Sequence, residues 1–154
     1  MKIKVENVMT KEPACCTPQT RLAQVAQMMA ARHCGSIPVV ENKENMKLVG
    51  IITDRDIVCR SLAQGKNPLE LSAADCMSSP VVSAVRSGSL EECCDLMEEN
   101  QIRRIPIVDE EGCCCGIVTP AHVARHAKTQ DVAQVIKHVS EKSEEPSRVA
   151  AAGR

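Results

Sequence analysis

Thr53, Arg55 and Asp56 follow the apolar run Gly50-Ile51-Ile52 and open a predicted helix. A hydroxyl that ends a strand and a carboxylate in the first turn of the next helix can both face one cleft, beside the free N–H groups of that turn. Such an arrangement can hydrogen-bond a polar or anionic ligand. The same residue types commonly cap helices. The local pattern therefore leaves two interpretations open, a ligand site and a plain helix start.

The chain has ten cysteines, which could serve redox, disulfide or metal chemistry. No two of them form a Cys-x-x-Cys pair, and neighbours such as Cys15 and Cys16 point to opposite faces of a strand, so they cannot easily share one metal. We therefore expect many of them to fill core positions in a reducing compartment. A cysteine-based redox or metal-responsive regulator is the alternative.

His122 and His126 have the i, i+4 spacing of a metal-binding pair, but no acidic ligand and no His-Glu-x-x-His motif accompany them. The sequence also offers no nucleophile–base–orienter trio, no phosphate-binding glycine loop and no paired carboxylates. We therefore expect no metal site, no required cofactor and no catalysis, so the chain is not predicted to be an enzyme.

A repeat with an offset of 68 or 66 residues organises the elements that must position these side chains. The recurring pairs are Met9-Thr10 with Met77-Ser78, Ile37-Pro38-Val39-Val40 with Ile105-Pro106-Ile107-Val108, and Gly50-Ile51-Ile52-Thr53 with Gly116-Ile117-Val118-Thr119. The two-residue difference in offset falls in a polar turn, where a structural repeat tolerates a change of length.

Each repeat predicts the same β-α-β-β-α order. A short strand (14–17 or 81–84) precedes a helix, two apolar strands joined by a polar turn follow, and a second helix closes the unit near 54–63 or 120–126. Thr20 is predicted to cap the first helix, and Ser87 or Ser89 the corresponding later helix. The residues expected on the inner helix faces are Leu22, Val25, Ala26, Met29 and Ala30, and then Leu90, Cys93, Cys94 and Met97.

The predicted fold class is α/β (α+β), with the two tandem units packed about a pseudo-twofold axis, because one unit alone buries little surface. The predicted boundaries are 1–63 for the first unit, 64–75 for the linker, 76–127 for the second unit, and 128–154 for a C-terminal helix and tail. The polar stretch beyond about Val139 is expected to be disordered.

The charge and composition bear on the possible partners. The net charge is −1 and the chain has no Phe, Trp or Tyr, so it offers neither a broad positive field nor stacking platforms for nucleic acid. Its apolar runs are too short to span a bilayer, and its start has no apolar signal-peptide centre. We therefore expect a soluble, cytoplasmic protein that binds neither nucleic acid nor membrane.

The pattern Val-Met-Thr, a helix, Ile-Pro-Val-Val and Gly-Ile-Ile-Thr-Asp-Arg-Asp-Ile resembles the CBS domain family. The second repeat carries Cys-Met-Ser, Ile-Pro-Ile-Val and Gly-Ile-Val-Thr-Pro-Ala-His-Val, so residues 5–127 resemble a tandem CBS pair, or Bateman module, of the stand-alone kind. The resemblance implies a regulatory, ligand-sensing module. Such a module binds AMP, ADP, ATP, S-adenosylmethionine or NAD in a cleft between the units.

The resemblance also implies a homodimer formed through helices, and an unidentified protein that responds to it. Ile57, Val58, Leu62 and Val123 are the apolar residues of the closing helices that we expect to be left over for such a contact.

The ligand motif of the family falls on Gly50, Thr53 and Asp56. It implies that Asp56 accepts hydrogen bonds from the ribose hydroxyls and that Thr53 contacts phosphate or sugar. The resemblance further assigns phosphate contacts to the residues before Ile-Pro and an adenine sandwich to two apolar residues. These positions are Arg103 and Arg104, with Arg55 as a possible third cation, and Ile51 and Val82. Adjacent guanidinium groups suit a phosphate, although a solvated surface pair beside the acidic helix 91–99 is the alternative.

A second, weaker cleft would contain Thr119, His122 and Ser36. His122 stands where the family has aspartate, and a neutral histidine can accept one hydrogen bond but cannot receive two ribose hydroxyls. Gly35 and Ser36 replace the two arginines and carry no charge. We therefore expect this cleft to be weak, vacant or of different specificity.

Overall fold

The structure is a computed structural model that describes residues 2–141. The strands within these residues are β1 (Thr10–Lys11), β2 (Ser36–Val40), β3 (Leu48–Thr53), β4 (Ala84–Val85), β5 (Ile105–Val108) and β6 (Cys114–Val118). The α-helices of the same described part are α1 (Leu22–Arg32), α2 (Asp54–Arg60), α3 (Ala73–Cys76), α4 (Leu90–Asn100), α5 (Pro120–His126) and α6 (Thr129–Ser140). Short 3₁₀ turns lie at Val5–Asn7, Leu62–Gln64 and Pro68–Glu70. The mixed α+β class predicted from the sequence is confirmed.

The described chain forms two compact units. Residues 14–81 make one, which we call the Asp56 unit, and residues 2–13 with 82–141 make the other, the His122 unit. The packed units therefore do not coincide with the sequence repeats. The first segment of each repeat packs in the unit that contains most of the other repeat. The boundaries 1–63, 64–75, 76–127 and 128–154, which follow the repeat, stay a prediction.

The Asp56 unit is built on the antiparallel hairpin of β2 and β3. Ile37 pairs with Ile52 and Pro38 with Ile51, while Cys16 and Ser78 add single bridges to Val39 and Ile51. The core under this hairpin consists of Cys16, Leu22, Val25, Met29, Ile37, Val39, Ile52, Ala73 and Cys76. The strand expected over 14–17 is therefore reduced to one bridge at Cys16.

The His122 unit is built on a four-stranded sheet in the order β1-β6-β5-β4. β5 and β6 are antiparallel, with Ile105 opposite Val118, and β4 runs parallel to β5. Helices α4, α5 and α6 contribute the apolar residues that cover it, among them Met97, Val123, Val135 and Val139. α6 continues through Ser140, so the start of the predicted tail is helical, and residues 142–154 lie outside the described part.

Helix α4 forms as its sequence predicts. Ser89 is its N-cap, and the Ser89 and Glu92 side chains each accept a hydrogen bond from the other residue's backbone N–H, at 3.2 and 2.8 Å. Such a capping box satisfies two N–H groups that the first turn leaves unpaired. Its buried residues are Leu90, Cys93, Cys94 and Met97, as expected.

Helix α1 departs from its prediction. It begins at Leu22 with Arg21 at the N-cap position, and the Thr20 hydroxyl accepts a hydrogen bond from the Thr17 N–H at 3.0 Å instead. Leu22, Val25 and Met29 are buried, but Ala26 and Ala30 are exposed. The buried stripe is therefore narrower than the spacing of apolar residues indicated.

In each unit the repeated glycine lies against the repeated methionine, Gly50 against Met77 and Gly116 against Met9. A Cβ atom on Gly50 would lie 2.9 Å from the Ser78 carbonyl oxygen and 3.1 Å from Met77 Sδ. A Cβ atom on Gly116 would lie 2.9 Å from Met9 Cγ and collide with Met9 Sδ. Glycine is needed at both places because a segment from the other repeat crosses directly over it.

The cysteines are distributed as the prediction of core thiols requires. Six are buried, namely Cys15, Cys16, Cys76, Cys93, Cys94 and Cys114. Cys34 is exposed, and Cys59, Cys113 and Cys115 are partly exposed. Burial raises the pKa of Cys16 and Cys94 to about 11 and that of Cys93 to about 12. Within residues 2–141, no helix is both long enough and apolar enough to cross a membrane.

Candidate functional site

The candidate site centres on the start of α2, where Thr53 and Asp56 form a capping box. Thr53 Oγ1 accepts a hydrogen bond from the Asp56 N–H at 3.1 Å, and Asp56 Oδ2 accepts one from the Thr53 N–H at 3.0 Å. The helix-start interpretation is therefore correct. The capping box uses only one oxygen of the Asp56 carboxylate. The backbone N–H of Thr53 bonds Oδ2, so Oδ1 can still accept a hydrogen bond from a ligand, and the side chain is 19% exposed.

Arg60 is the residue that sequence reasoning missed. Its Nε lies 4.0 Å from Asp56 Oδ1, and its Nη1 donates to the Met77 and Cys76 carbonyl oxygens at 2.7 and 3.1 Å. Its Nη2 reaches Ser78 Oγ at 3.3 Å. The i, i+4 spacing of Asp56 and Arg60 on a predicted helix was the available signal.

Ile51, Thr53, Arg55 and Asp56 are brought together in the Asp56 unit. Ile51 and Thr53 alternate with the buried Ile52, so they lie on the face of β3 opposite to the core. Arg55 is exposed, and its guanidinium contacts no hydrogen-bond or ionic partner among the described residues. One apolar, one hydroxyl, one cationic and one anionic side chain thus surround the first turn of a helix.

Ser36 is placed in this same unit, opposite Thr53 in the β2–β3 register, and is buried. The sequence prediction grouped Ser36 with Thr119 and His122, which belong to the His122 unit. Gly35, its neighbour, accepts a backbone hydrogen bond from the Asp54 N–H at 3.0 Å and so helps to fix the start of α2.

Arg103 and Arg104 lie in the His122 unit, between α4 and β5. Helix α4 ends at Asn100, its C-cap Gln101 is in the left-handed conformation with φ 51°, and the two arginines come shortly after, before the strand begins at Ile105. Arg103 is exposed and Arg104 partly buried, and neither guanidinium pairs with a carboxylate or another acceptor in the described chain. Val82 also belongs to this unit, where it packs, partly buried, against the core.

His122 takes the place in α5 that Asp56 takes in α2. The Thr119 N–H donates to His122 Nδ1 at 3.0 Å, and His122 Nε2 lies 3.0 Å from Thr10 Oγ1. Because a backbone N–H can only donate, Nδ1 must accept, so the ring is neutral and its proton is on Nε2. Burial, with smaller contributions from Arg125 and His126, lowers the pKa of His122 below its ordinary value of 6.5.

The His122 arrangement leaves little for a ligand or a metal. Both ring nitrogens are engaged, and His126 Nδ1 lies 2.9 Å from the His122 carbonyl oxygen. Within residues 2–141, no group of three or more His, Cys, Asp or Glu side chains could hold a metal ion. Both histidines of the i, i+4 pair therefore make contacts within α5. His122 caps the start of the helix, and His126 contacts a backbone carbonyl of the same helix.

The chain is similar to known proteins in sequence and in fold. A family model of the CBS domain matches residues 5–62 and 73–129. The chain is 31% identical over 133 residues to hypoxic response protein 1 of Mycobacterium tuberculosis, covering 86% of this chain and 91% of that protein. It is 37% identical over 117 residues to an uncharacterized protein of Methanopyrus kandleri, covering 76% of this chain but only 59% of that protein's length.

Three solved structures are also similar. Hypoxic response protein I with two coordinated zinc ions has a TM-score of 0.73 at 31% identity, over 81% of this chain and 99% of that one. CBSX2 of Arabidopsis thaliana in complex with AMP has a TM-score of 0.69 at 27% identity, over 81% and 96%. The CBS domain pair of MJ0100 with 5′-methylthioadenosine and S-adenosyl-L-methionine has a TM-score of 0.71 at 25% identity, over 81% and 95%. The chain therefore belongs to the CBS domain family, as a tandem pair of CBS domains.

Proposed function

We propose that this chain is a non-catalytic regulatory module that senses an adenosine-containing nucleotide. The observation that carries the proposal is the Asp56 carboxylate, oriented by the Thr53 N–H on Oδ2 and with Oδ1 left for an incoming hydroxyl. A carboxylate is an acceptor only, which suits the paired hydroxyls of a ribose. Related CBS pairs have been solved with AMP, with 5′-methylthioadenosine and with S-adenosyl-L-methionine, which supports a ligand of this class.

The other ligand contacts are proposed by the same resemblance. Ile51 on β3 and Val82 of the His122 unit would contact the adenine, and Arg103 and Arg104 would hold phosphate, with Arg55 as a third cation. The unpaired state of these guanidinium groups within the described chain supports the phosphate role over that of surface ion pairs.

Regulation would follow from a difference in ligand affinity between two shapes of the module. A ligand can shift such an equilibrium only by its differential affinity for the two states. A regulated protein, not identified by the sequence, would read the change.

The proposed oligomer is a homodimer formed through α2 and the 3₁₀ turn that follows it. Val58 and Leu62 are 52% and 60% exposed, which suits the role expected of them, and Ile57 is partly buried. The expectation for Val123 was wrong, because it is fully buried. We expect the double substitution Val58→Asp/Leu62→Asp to convert the dimer into a monomer, which light scattering measures. Ile136 is an exposed apolar residue of α6, and Ile136→Asp should leave the dimer intact.

The cysteine-based alternative has weaker support. Burial raises the pKa of Cys16, Cys93 and Cys94 well above neutrality, and the thiolate is the reactive form. Hypoxic response protein I was solved with two zinc ions, so metal analysis of the purified protein is the direct check. Stoichiometric zinc, or several thiols lost without added oxidant, would favour this alternative.

The nucleotide proposal is tested by isothermal calorimetry and thermal melts with AMP, ADP, ATP, S-adenosylmethionine and NAD. A ligand at about 100 times its Kd should add roughly 2.7 kcal/mol of stability. Asp56→Asn keeps an acceptor for the Thr53 N–H but loses the carboxylate, so it should bind about tenfold or more weakly.

Asp54→Asn is the matched control, because Asp54 is exposed in the same turn and its Oδ1 contacts only the neighbouring Arg55 N–H. It should bind like the wild type. No binding of any of the five compounds would refute the proposed function, and equal binding by Asp56→Asn would refute the assignment of Asp56.

A further inference from the structure

Arg60 joins the Asp56 carboxylate to the chain segment 76–78. We propose that Arg60 is the positioning residue for ribose recognition, which fixes the carboxylate in the orientation that accepts the sugar hydroxyls. This inference rests on the proposed nucleotide-binding function and extends it to a residue that contacts no ligand itself.

The two oxygens of Asp56 have different neighbours. Oδ2 accepts the Thr53 N–H at 3.0 Å, which ties it to the backbone. Oδ1 lies 4.0 Å from Arg60 Nε, close enough for ionic attraction but too long for a hydrogen bond. Oδ1 therefore keeps its lone pairs for a ligand hydroxyl, while the adjacent positive charge holds the carboxylate in place by ionic attraction.

Arg60 is itself held by groups outside its own helix. Nη1 donates to the Met77 and Cys76 carbonyl oxygens, and Nη2 donates to Ser78 Oγ at 3.3 Å. The Cys76 and Met77 carbonyls end α3, where the last carbonyls of a helix lack partners within the helix. A guanidinium has five donors in a rigid fork, so these bonds fix its plane and leave Nε facing Asp56.

The second repeat has neither the arginine nor the carboxylate, because His126 and His122 stand at those positions. The position of Arg60 is taken by His126, whose Nδ1 lies 2.9 Å from the His122 carbonyl oxygen of its own helix. The position of Ser78 is taken by Thr10, which His122 contacts directly at 3.0 Å. The arginine therefore accompanies the aspartate that needs orienting, and the histidine that is already bound at both nitrogens has none.

A positioning role predicts a change in selectivity as well as in affinity. If Arg60 orients Asp56 toward the ribose, its loss should weaken AMP binding while leaving the 2′-deoxy and 3′-deoxy forms of AMP less affected, because these lack one of the hydroxyls concerned. A purely structural role would weaken all three ligands in parallel.

The test measures the Kd of AMP and of its 2′-deoxy and 3′-deoxy forms by calorimetry on wild type, Arg60→Met, Arg60→Lys and Arg32→Met. Arg32→Met removes the same charge from an exposed position at the end of α1 and should match the wild type. We expect the wild type to prefer AMP roughly tenfold over at least one deoxy form. Arg60→Met should bring that ratio close to one.

Thermal melts establish that each variant folds. If Arg60→Met does not, Arg60→Lys decides the matter, since one ammonium cannot serve Asp56 and the 76–78 segment together, and its ratio should also fall. A wild-type ratio in the folded variant overturns the role of Arg60 even though AMP binds. A wild type that binds no adenosine ligand overturns the proposed function and the inference with it.

Discussion

His122 Nε2 and Thr10 Oγ1 lie 3.0 Å apart, although 112 positions separate the two residues in the chain. The Thr119 N–H occupies the other ring nitrogen, so the imidazole is neutral and joins the start of α5 to β1. Protonation would place a hydrogen on Nδ1 against the Thr119 N–H. The start of this helix therefore depends on the charge of one side chain.

The first prediction is that acidification destabilises the His122 unit. Folding lowers the pKa of His122, so the unfolded chain binds the proton more readily. The stabilisation is complete above the ordinary pKa of 6.5 and is lost as the pH falls through the lowered value. Urea unfolding between about pH 5 and 8 should show the free energy of unfolding decreasing toward acid.

His122→Asn is the control for this prediction. Its amide oxygen can accept from the Thr119 N–H in place of Nδ1, and the side chain does not titrate. Subtracting the free energy of unfolding of the variant from that of the wild type at each pH removes the contribution of the other three histidines. If this difference in free energy does not change with pH, the prediction is wrong.

The second prediction concerns phosphate. Arg103→Ala and Arg104→Ala should each weaken AMP binding, by roughly tenfold for the stronger contact, and leave adenosine binding nearly unchanged. Calorimetry with both ligands measures this. Arg86→Ala removes the same charge from the same unit, where Arg86 pairs with Glu6 at 3.3 Å, and should affect neither ligand. Parallel losses for AMP and adenosine would exclude a phosphate role.

The third prediction distinguishes the two repeated glycines. Gly50→Ala and Gly116→Ala should each reduce the free energy of unfolding by about 1–3 kcal/mol. At Gly116 the closest atoms belong to the Met9 side chain, so Met9→Ala in that background should recover part of the loss. At Gly50 the closest atom is the Ser78 backbone carbonyl, so Met77→Ala should recover little. A double-mutant cycle for each pair measures the coupling, and equal coupling would contradict the proposed contacts.

The fourth prediction concerns thiol reactivity. Cys34 is exposed and should react with a maleimide in the native state, whereas Cys93, which is buried with a pKa of about 12, should react only after unfolding. Pulse labelling followed by peptide mass spectrometry separates the two, with Cys34→Ser as the reference. Rapid native labelling of Cys93 would show that α4 opens readily.

The local elements follow from the sequence because their signals are local. Ser89 and Glu92 stand three residues apart as a capping box requires, and Pro120 occupies a first turn in which its missing N–H costs nothing. Thr20 is also of a residue type that caps helices, but Ala23 stands where a capping box needs Glu or Gln, the Thr20 hydroxyl bonds Thr17, and the Leu22 N–H donates to the Leu71 carbonyl oxygen. Tertiary contacts decided that helix start.

The candidate site could be predicted only in part. Ile51, Thr53, Arg55 and Asp56 lie within six residues, so a strand followed by a helix brings them together. The partners of Arg60 at 76–78 and of His122 at Thr10 are distant in sequence, and no local pattern contains them. Val123 is buried by the cluster that includes Val135 and Val139 of α6, which the repeat pattern does not predict either.

The exchange of first segments also determines where the chain can be divided. A cut between the repeats, near residue 64, would remove Met77-Ser78 from β3 and leave the Gly50 edge uncovered. Residues 14–81 are the shortest continuous stretch that retains one whole packed unit. The other unit consists of two separate stretches, 2–13 and 82–141, so a single polypeptide needs either a linker in place of residues 14–81 or a circular permutation that joins residue 141 to residue 2.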